Sequence, residues 1–285
     1  MIPASFEYYS PRSLSEAVAL LSAHKDDVKV LSGGQSLLPL MKMRLSKPGH
    51  VVDIGRIPGL DTIVEEKNSV VLGAMTTHAE LESSKLLQAR CPLLSQTATT
   101  IADVQVRNRG TIGGSIAHAD PAGDMPAAIL ALDAEIKAFG PNGERWIKAE
   151  DFFLGLLMSV LEPDEIVTAV KVPVTTGDKT AYLKAAPRSS GFAVVGVAVR
   201  VILGASGACE RIAIGITGVT DKAYRADRVE KMLAGQKLDT RLIETAAAEA
   251  TRNIDVIEDI NGSIEYRTQL THVYVARAVQ EALQS

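Results

Sequence analysis

The chain has 285 residues, 46% of them hydrophobic and 22% charged, with a formal net charge of −4. That length allows two domains and a sizeable core, while the mild acidity and the lack of a dense Lys/Arg cluster exclude a nucleic-acid footprint. No apolar run approaches the roughly 20 residues that span a bilayer, and the N-terminal residues show no basic-then-apolar leader, so a cytoplasmic location is expected.

Phe6 to Tyr9 reads as a short edge strand, and Ser13 with Glu16 three residues later reads as a capping box opening a helix. Val28 to Leu31 is a strand that runs into the glycine pair of Ser32-Gly33-Gly34-Gln35-Ser36. A short helix or turn interrupted by Pro39 follows, then a strand from His50 to Ile54. Gly55 to Gly59 reads as a hinge with Pro58 as its stiff point. Thr62 to Val64 and Ser69 to Leu72 form a hairpin around Lys67-Asn68, and a helix capped by Thr76 or Thr77 covers His78 to Glu82. A longer helix is expected from Pro92 to Asp103.

Arg107 to Asp124 holds four glycines, two arginines, a histidine and two aspartates, with almost no helical or strand period. A long loop inside a compact domain is usually functional. After it come a helix from Pro126 to Leu132, a hairpin turning at Pro141-Asn142-Gly143, and a strand from Ile166 to Val172. Thr175 to Lys179 is the expected domain boundary. Three strand candidates then cover residues 181–185, 193–203 and 211–218, and helices cover 224–233, 240–253 and 264–283. Strands followed by helices indicate a small α+β domain, its sheet backed by helices.

Glycine pairs admit positive φ and let a ligand approach the backbone. Successive N–H groups then form an anion-binding nest. Both pairs also read as plain turns. Neither is GxGxxG or GxxxxGK[ST], so a nicotinamide-type Rossmann site and a P-loop ATPase are disfavoured. Asp124 is a candidate acceptor for cofactor hydroxyls, a candidate cap of the next helix, or both, and His118 with Asp120 is a candidate acid–base pair. Arg107 and Arg109 either neutralise phosphate or pin the loop, and Lys184 is by default a solvated lysine. The only cysteines, Cys91 and Cys209, lack a CxxC partner, so they cannot supply the four ligands usual for iron–sulfur clusters.

Ser32 to Pro39, Gln105 to Gly114 and Ile116 to Asp124 together resemble the FAD-binding medium subunit of the molybdenum hydroxylases. The likeness is to the flavoprotein subunit of aerobic carbon monoxide dehydrogenase and, more distantly, the FAD domain of xanthine dehydrogenase. It covers essentially the whole chain. The resemblance implies an α+β fold: a two-part FAD-binding domain of the PCMH type over residues 1–176 (subregions about 1–56 and 57–176), then a C-terminal domain over 177–285.

It further implies that Ser32, Gly33, Gly34, Gln35 and Ser36, with Thr111, Ile112, Gly113, Gly114 and Ser115, hold the FAD diphosphate. Leu31, Leu37 and Leu38 line the site, Asp124 binds cofactor hydroxyls, and Ile101, Val106, Gly110 and His118 complete the set. Ile166 or its strand neighbours, together with Lys184, contact the flavin ring side, and Phe192 lies beside the isoalloxazine. No catalytic acid–base residue and no metal ligand is assigned to this chain. The molybdenum cofactor is expected on a large partner subunit and [2Fe-2S] clusters on a small one, in a dimer of heterotrimers. Ser32, Gln35, Ser115 and Gly191-Phe192 depart from the carbon monoxide dehydrogenase pattern; none removes a backbone donor, but they bear on carbon monoxide as substrate. The alternatives are a stand-alone flavin oxidoreductase and a non-catalytic nucleotide-binding protein.

Overall fold

The computed structural model describes residues 2–187 and 190–285. The first region is built from β1 (Glu7–Tyr9), α1 (Leu14–Ala23), β2 (Val28–Leu31), α2 (Leu37–Lys42) and β3 (His50–Asp53). The strands lie in the order β1-β3-β2, all parallel. Parallel neighbours need crossovers, which α1 and α2 supply. Ser13 caps α1 through Glu16 N, but the Glu16 carboxylate returns to Arg12 N at 2.9 Å, so the capping box is shifted by one residue. Pro39 does not interrupt α2. It is the third helical residue, where the missing N–H has no intrahelical acceptor to lose.

The second region starts with β4 (Ile63–Glu66) and β5 (Ser69–Gly73) and continues through α3 (His78–Ser83), α4 (Lys85–Arg90), α5 (Pro92–Thr99), α6 (Val104–Arg107), α7 (Ile112–His118) and α8 (Asp124–Ala131). It closes with β6 (Glu135–Gly140), β7 (Gly143–Lys148), α9 (Ala149–Phe152), the small pair β8 (Phe153–Gly155) and β9 (Met158–Ser159), and β10 (Ile166–Pro173). The five-stranded sheet β4-β5-β10-β6-β7 is antiparallel throughout.

Two expectations change here. The helix foreseen over 92–103 ends at Thr99, the chain passes Ala102 at φ 38°, and Asp103 caps a separate α6. The stretch from Arg107 to Asp124 is not structureless either: Thr111 caps the seven-residue helix α7, which buries Ile112 and Ile116 on one face.

The third region holds β11 (Lys179–Ala185), β12 (Val195–Leu203), β13 (Cys209–Thr217) and β14 (Tyr224–Arg225), paired in that order and antiparallel. Helices α10 (Asp227–Leu233), α11 (Thr240–Ala247) and α12 (Ile264–Gln284) follow. One face of this sheet packs on the three helices in a core that includes Val197, Val199, Ile214 and Val279. On the other face Tyr182 and Ala198 join the core of the second region. Helix α8 is wholly buried between the two sheets, and Gly215 is needed because a Cβ there would overlap the Ala127 carbonyl oxygen.

Candidate functional site

A cleft of about 740 Å³ opens where the turn after β2 meets the loops around α6 and α7. The first glycine loop forms one wall. Gly34 sits at φ 75°, the left-handed region that favours glycine, and Leu38 N returns to its carbonyl at 3.2 Å. At Gly33 a Cβ would overlap the carbonyl oxygen of Arg109, so this glycine lets the two loops touch. Among the described residues no protein acceptor takes the N–H groups of Gly33, Gly34, Gln35 and Ser36. Four consecutive free donors on one turn make a nest for anionic oxygens.

The second loop is built differently. Ile112 N donates to Thr76 O, Gly113 N to Ala74 O, Gly114 N to the Thr111 hydroxyl and Ser115 N to Thr111 O. Its N–H groups are therefore already paired within the protein, unlike those of the first loop. Gly113 packs where a Cβ would overlap Ala74, and Gly114 faces Ser32 and Thr111. The loops are joined by a hydrogen bond of 2.7 Å between the Ser32 and Thr111 hydroxyls. Arg107 pins this wall rather than facing an anion: its Nε donates to Glu82 at 2.8 Å and Nη1 to Ile101 O at 3.0 Å.

Asp124 occupies the first turn of α8, but Gly123 is the N-cap and the carboxylate caps nothing. Instead the Tyr182 hydroxyl donates to Oδ1 at 2.5 Å and Lys184 Nζ to Oδ2 at 3.0 Å. Burial pushes the Asp124 carboxyl up, with the Lys184 ammonium pulling the other way, and burial beside that carboxylate pushes the Tyr182 phenol well up. Lys184 is not solvated; its side chain is 8% exposed. Its other donors go to Thr100 O at 2.6 Å and Gly191 O at 2.8 Å.

Two family profiles match the chain: the FAD binding domain in molybdopterin dehydrogenase over residues 4–175, and the CO dehydrogenase flavoprotein C-terminal domain over residues 180–282. The chain belongs to this flavoprotein family. It is 42% identical over 283 residues to the carbon monoxide dehydrogenase medium chain of Hydrogenophaga pseudoflava, covering 99% of this chain and 98% of that one. It is 38% identical to the 6-hydroxypseudooxynicotine dehydrogenase complex subunit alpha of Paenarthrobacter nicotinovorans, covering 99% and 96%. A solved carbon monoxide dehydrogenase from Hydrogenophaga pseudoflava, lacking the Mo-pyranopterin moiety, superposes with a TM-score of 0.97 at 43% identity, covering 100% of this chain and 99% of that one. The chain is thus a medium, FAD-binding subunit of the molybdenum hydroxylase type and an oxidoreductase component.

The cleft fits that cofactor. Its volume falls within the roughly 300–1,000 Å³ of small-molecule sites, and the free donors of Gly33 to Ser36 match a diphosphate. Of the residues implied by the family pattern, Ser32 to Leu37, Ile101, Val106, Gly110, Thr111, Gly113, Gly114, Ser115, His118, Asp124, Ile166 and Phe192 line it. Ile112 does not: it is wholly buried in the core. Leu31 and Leu38 sit behind the turn, with side chains packed at Gly34. Lys184 is not among the lining residues, and its Nζ is held by Asp124, Thr100 and Gly191. Asp120 accepts from Ala122 N at 2.9 Å, a local turn contact rather than a pairing with His118.

Sequence reasoning missed Tyr182 and His78. Tyr182 and Lys184 alternate on β11 and so share a face, a signal that was available only once Asp124 was known to lie opposite. His78 had a place in a helix but no role, although it lines the cleft beside Gly110.

Proposed function

We propose that this chain is the electron-transfer subunit of a molybdenum hydroxylase complex, standing between iron–sulfur clusters on a small partner and an external acceptor. Substrate oxidation falls to a molybdenum centre on a large partner, and the assembly is a dimer of heterotrimers. FAD, when bound, supplies a carrier able to exchange electrons singly or in pairs.

The observation that carries this reading is the row of free N–H groups from Gly33 to Ser36, facing a cleft closed on the other side by Thr111 to Ser115. These donors hold diphosphate oxygens, and the Ser32–Thr111 contact keeps the walls at a fixed spacing. Asp124, immobilised by Tyr182 and Lys184, keeps lone pairs for cofactor hydroxyls. Phe192, 55% exposed at the cleft edge, offers a ring face where the cofactor emerges. Cys91 and Cys209 are both buried thiols, so any iron–sulfur cluster that feeds the flavin lies on another polypeptide.

Relatives of similar likeness are named for chemically unlike substrates, carbon monoxide and 6-hydroxypseudooxynicotine. That supports a substrate pocket outside this chain. Purification from the native source tests the reading. Flavin, molybdenum and iron co-purifying with this chain and two partners are the expected result. Flavin without metals or partners identifies a stand-alone flavin oxidoreductase instead, and a colourless protein that takes up no FAD contradicts both.

A further inference from the structure

His78 lines the cleft beside Val106, Gly110 and Thr111, yet is only 4% exposed. Among the described residues its buried Nδ1 has no hydrogen-bond partner. That atom is closed off from the cleft, so a ligand meets only the opposite edge of the ring, Cδ2 and Nε2. The ring is held firmly. Its backbone N donates to Gly110 O at 2.9 Å, and Thr77, joined to Glu80 in a capping box, fixes the first turn of α3. The ring edge lies against Gly110, where a Cβ would stand 3.0 Å from Cδ2 and 3.3 Å from Nε2. Glycine at 110 therefore leaves that edge open.

Burial and the nearby Arg107 guanidinium push the His78 pKa down to about 4. The ring is neutral at physiological pH and carries one donor and one acceptor. Arg107 does not bond to it, being committed to Glu82, Ile101 O and Ala102 O. A neutral imidazole is a weak partner for phosphate, which prefers cations and backbone donors. It is a good partner for a heteroaromatic edge that presents its own ring nitrogens and N–H groups. Ile101 and Val106, in the same part of the lining, supply the apolar surface such a ring requires.

We propose that His78 is a ligand-contact residue of this cleft, hydrogen-bonding through Nε2 to the edge of one heteroaromatic ring of the bound dinucleotide. The inference rests on the FAD reading above. Adenine and isoalloxazine share the required chemistry, and separate ligands distinguish them.

The experiment uses the full chain labelled with ¹⁵N-histidine, its His78 signals assigned by their absence in His78→Gln, titrated with FAD, ADP and FMN. FAD is expected to shift the His78 ring resonances, with ADP reproducing the shift if adenine is the contact and FMN if the flavin is. In fluorescence titrations His78→Leu should weaken FAD binding about tenfold, the worth of one hydrogen bond at the upper end of its usual range. FAD binding to the wild type with unmoved His78 signals, or with equal affinity in His78→Leu, overturns the His78 assignment and leaves the FAD reading standing. No FAD binding to the wild type overturns both.

Discussion

The Tyr182 hydroxyl donates to Asp124 Oδ1 across 2.5 Å, joining β11 of the C-terminal sheet to the first turn of α8. Lys184, two residues along the same strand, holds Oδ2 at 3.0 Å with both side chains almost fully buried. Removing one partner from such a pair leaves the other charge uncompensated. Lys184→Met should cost about 3–5 kcal/mol. Tyr182→Phe, which removes one hydrogen bond to a buried acceptor, should cost about 1–3 kcal/mol. Urea unfolding checks both, and a Lys184→Met/Asp124→Asn double variant should recover part of the larger loss. A wild-type midpoint for Lys184→Met would contradict the clamp.

The Ser32–Thr111 hydrogen bond makes a graded prediction. Ser32→Ala removes the bridge together with the weaker contact to Met75 Sδ and should cost about 1 kcal/mol. Thr111→Val also removes the acceptor for Gly114 N, the cap of α7, adding about 1 kcal/mol more. Thermal melts with and without FAD measure the order, and equal losses in the two variants would argue against the capping role.

Much of this arrangement was readable beforehand. The alternation of Val28 to Leu31 running into Gly33-Gly34 placed a glycine turn after a strand, and the fold bears that out. Helix α7 was hidden because Gly113 and Gly114 are poor helix formers, although Thr111 and the Ile112/Ile116 pair carried a cap and an i,i+4 face. The unequal use of the two loops was not readable at all. Whether Gly113 N is free depends on Ala74, which reaches it only through the pairing of β5 with β10. Arg107 likewise finds Glu82 25 residues away in sequence, and Lys184 finds Asp124 60 away.

The glycines give a steric prediction. Gly33→Ala puts a methyl into the Arg109 carbonyl and should force the loops apart, so that the purified protein loses its flavin. Gly114→Val should do the same, because its side chain enters at the Thr111 hydroxyl, 2.8 Å from the Cβ position. Flavin absorbance relative to protein is the readout, and full occupancy in both variants would remove the cleft as the cofactor site.

His78 gives stability a pH dependence. The folded protein protonates it only near pH 4, whereas the unfolded chain does so near 6.5. The unfolded state therefore binds the extra proton between those values, and stability falls as pH drops through that window. The loss should reach about 3 kcal/mol near pH 4, at 1.36 kcal/mol per pKa unit. His78→Leu should flatten this part of the profile. Parallel profiles for wild type and variant in urea melts from pH 4 to 7 would show that the ring is not held neutral.

The most direct test is amide hydrogen exchange of the full chain with and without FAD. Among the described residues the N–H groups of Gly33, Gly34, Gln35 and Ser36 have no protein acceptor, while Ile112 to Ser115 are already bonded. FAD should strongly protect the amides from Gly33 to Ser36 and change those from Ile112 to Ser115 far less. Bound FAD that leaves Gly33 to Ser36 exchanging at the free-protein rate would contradict the assignment of this turn as the diphosphate cradle.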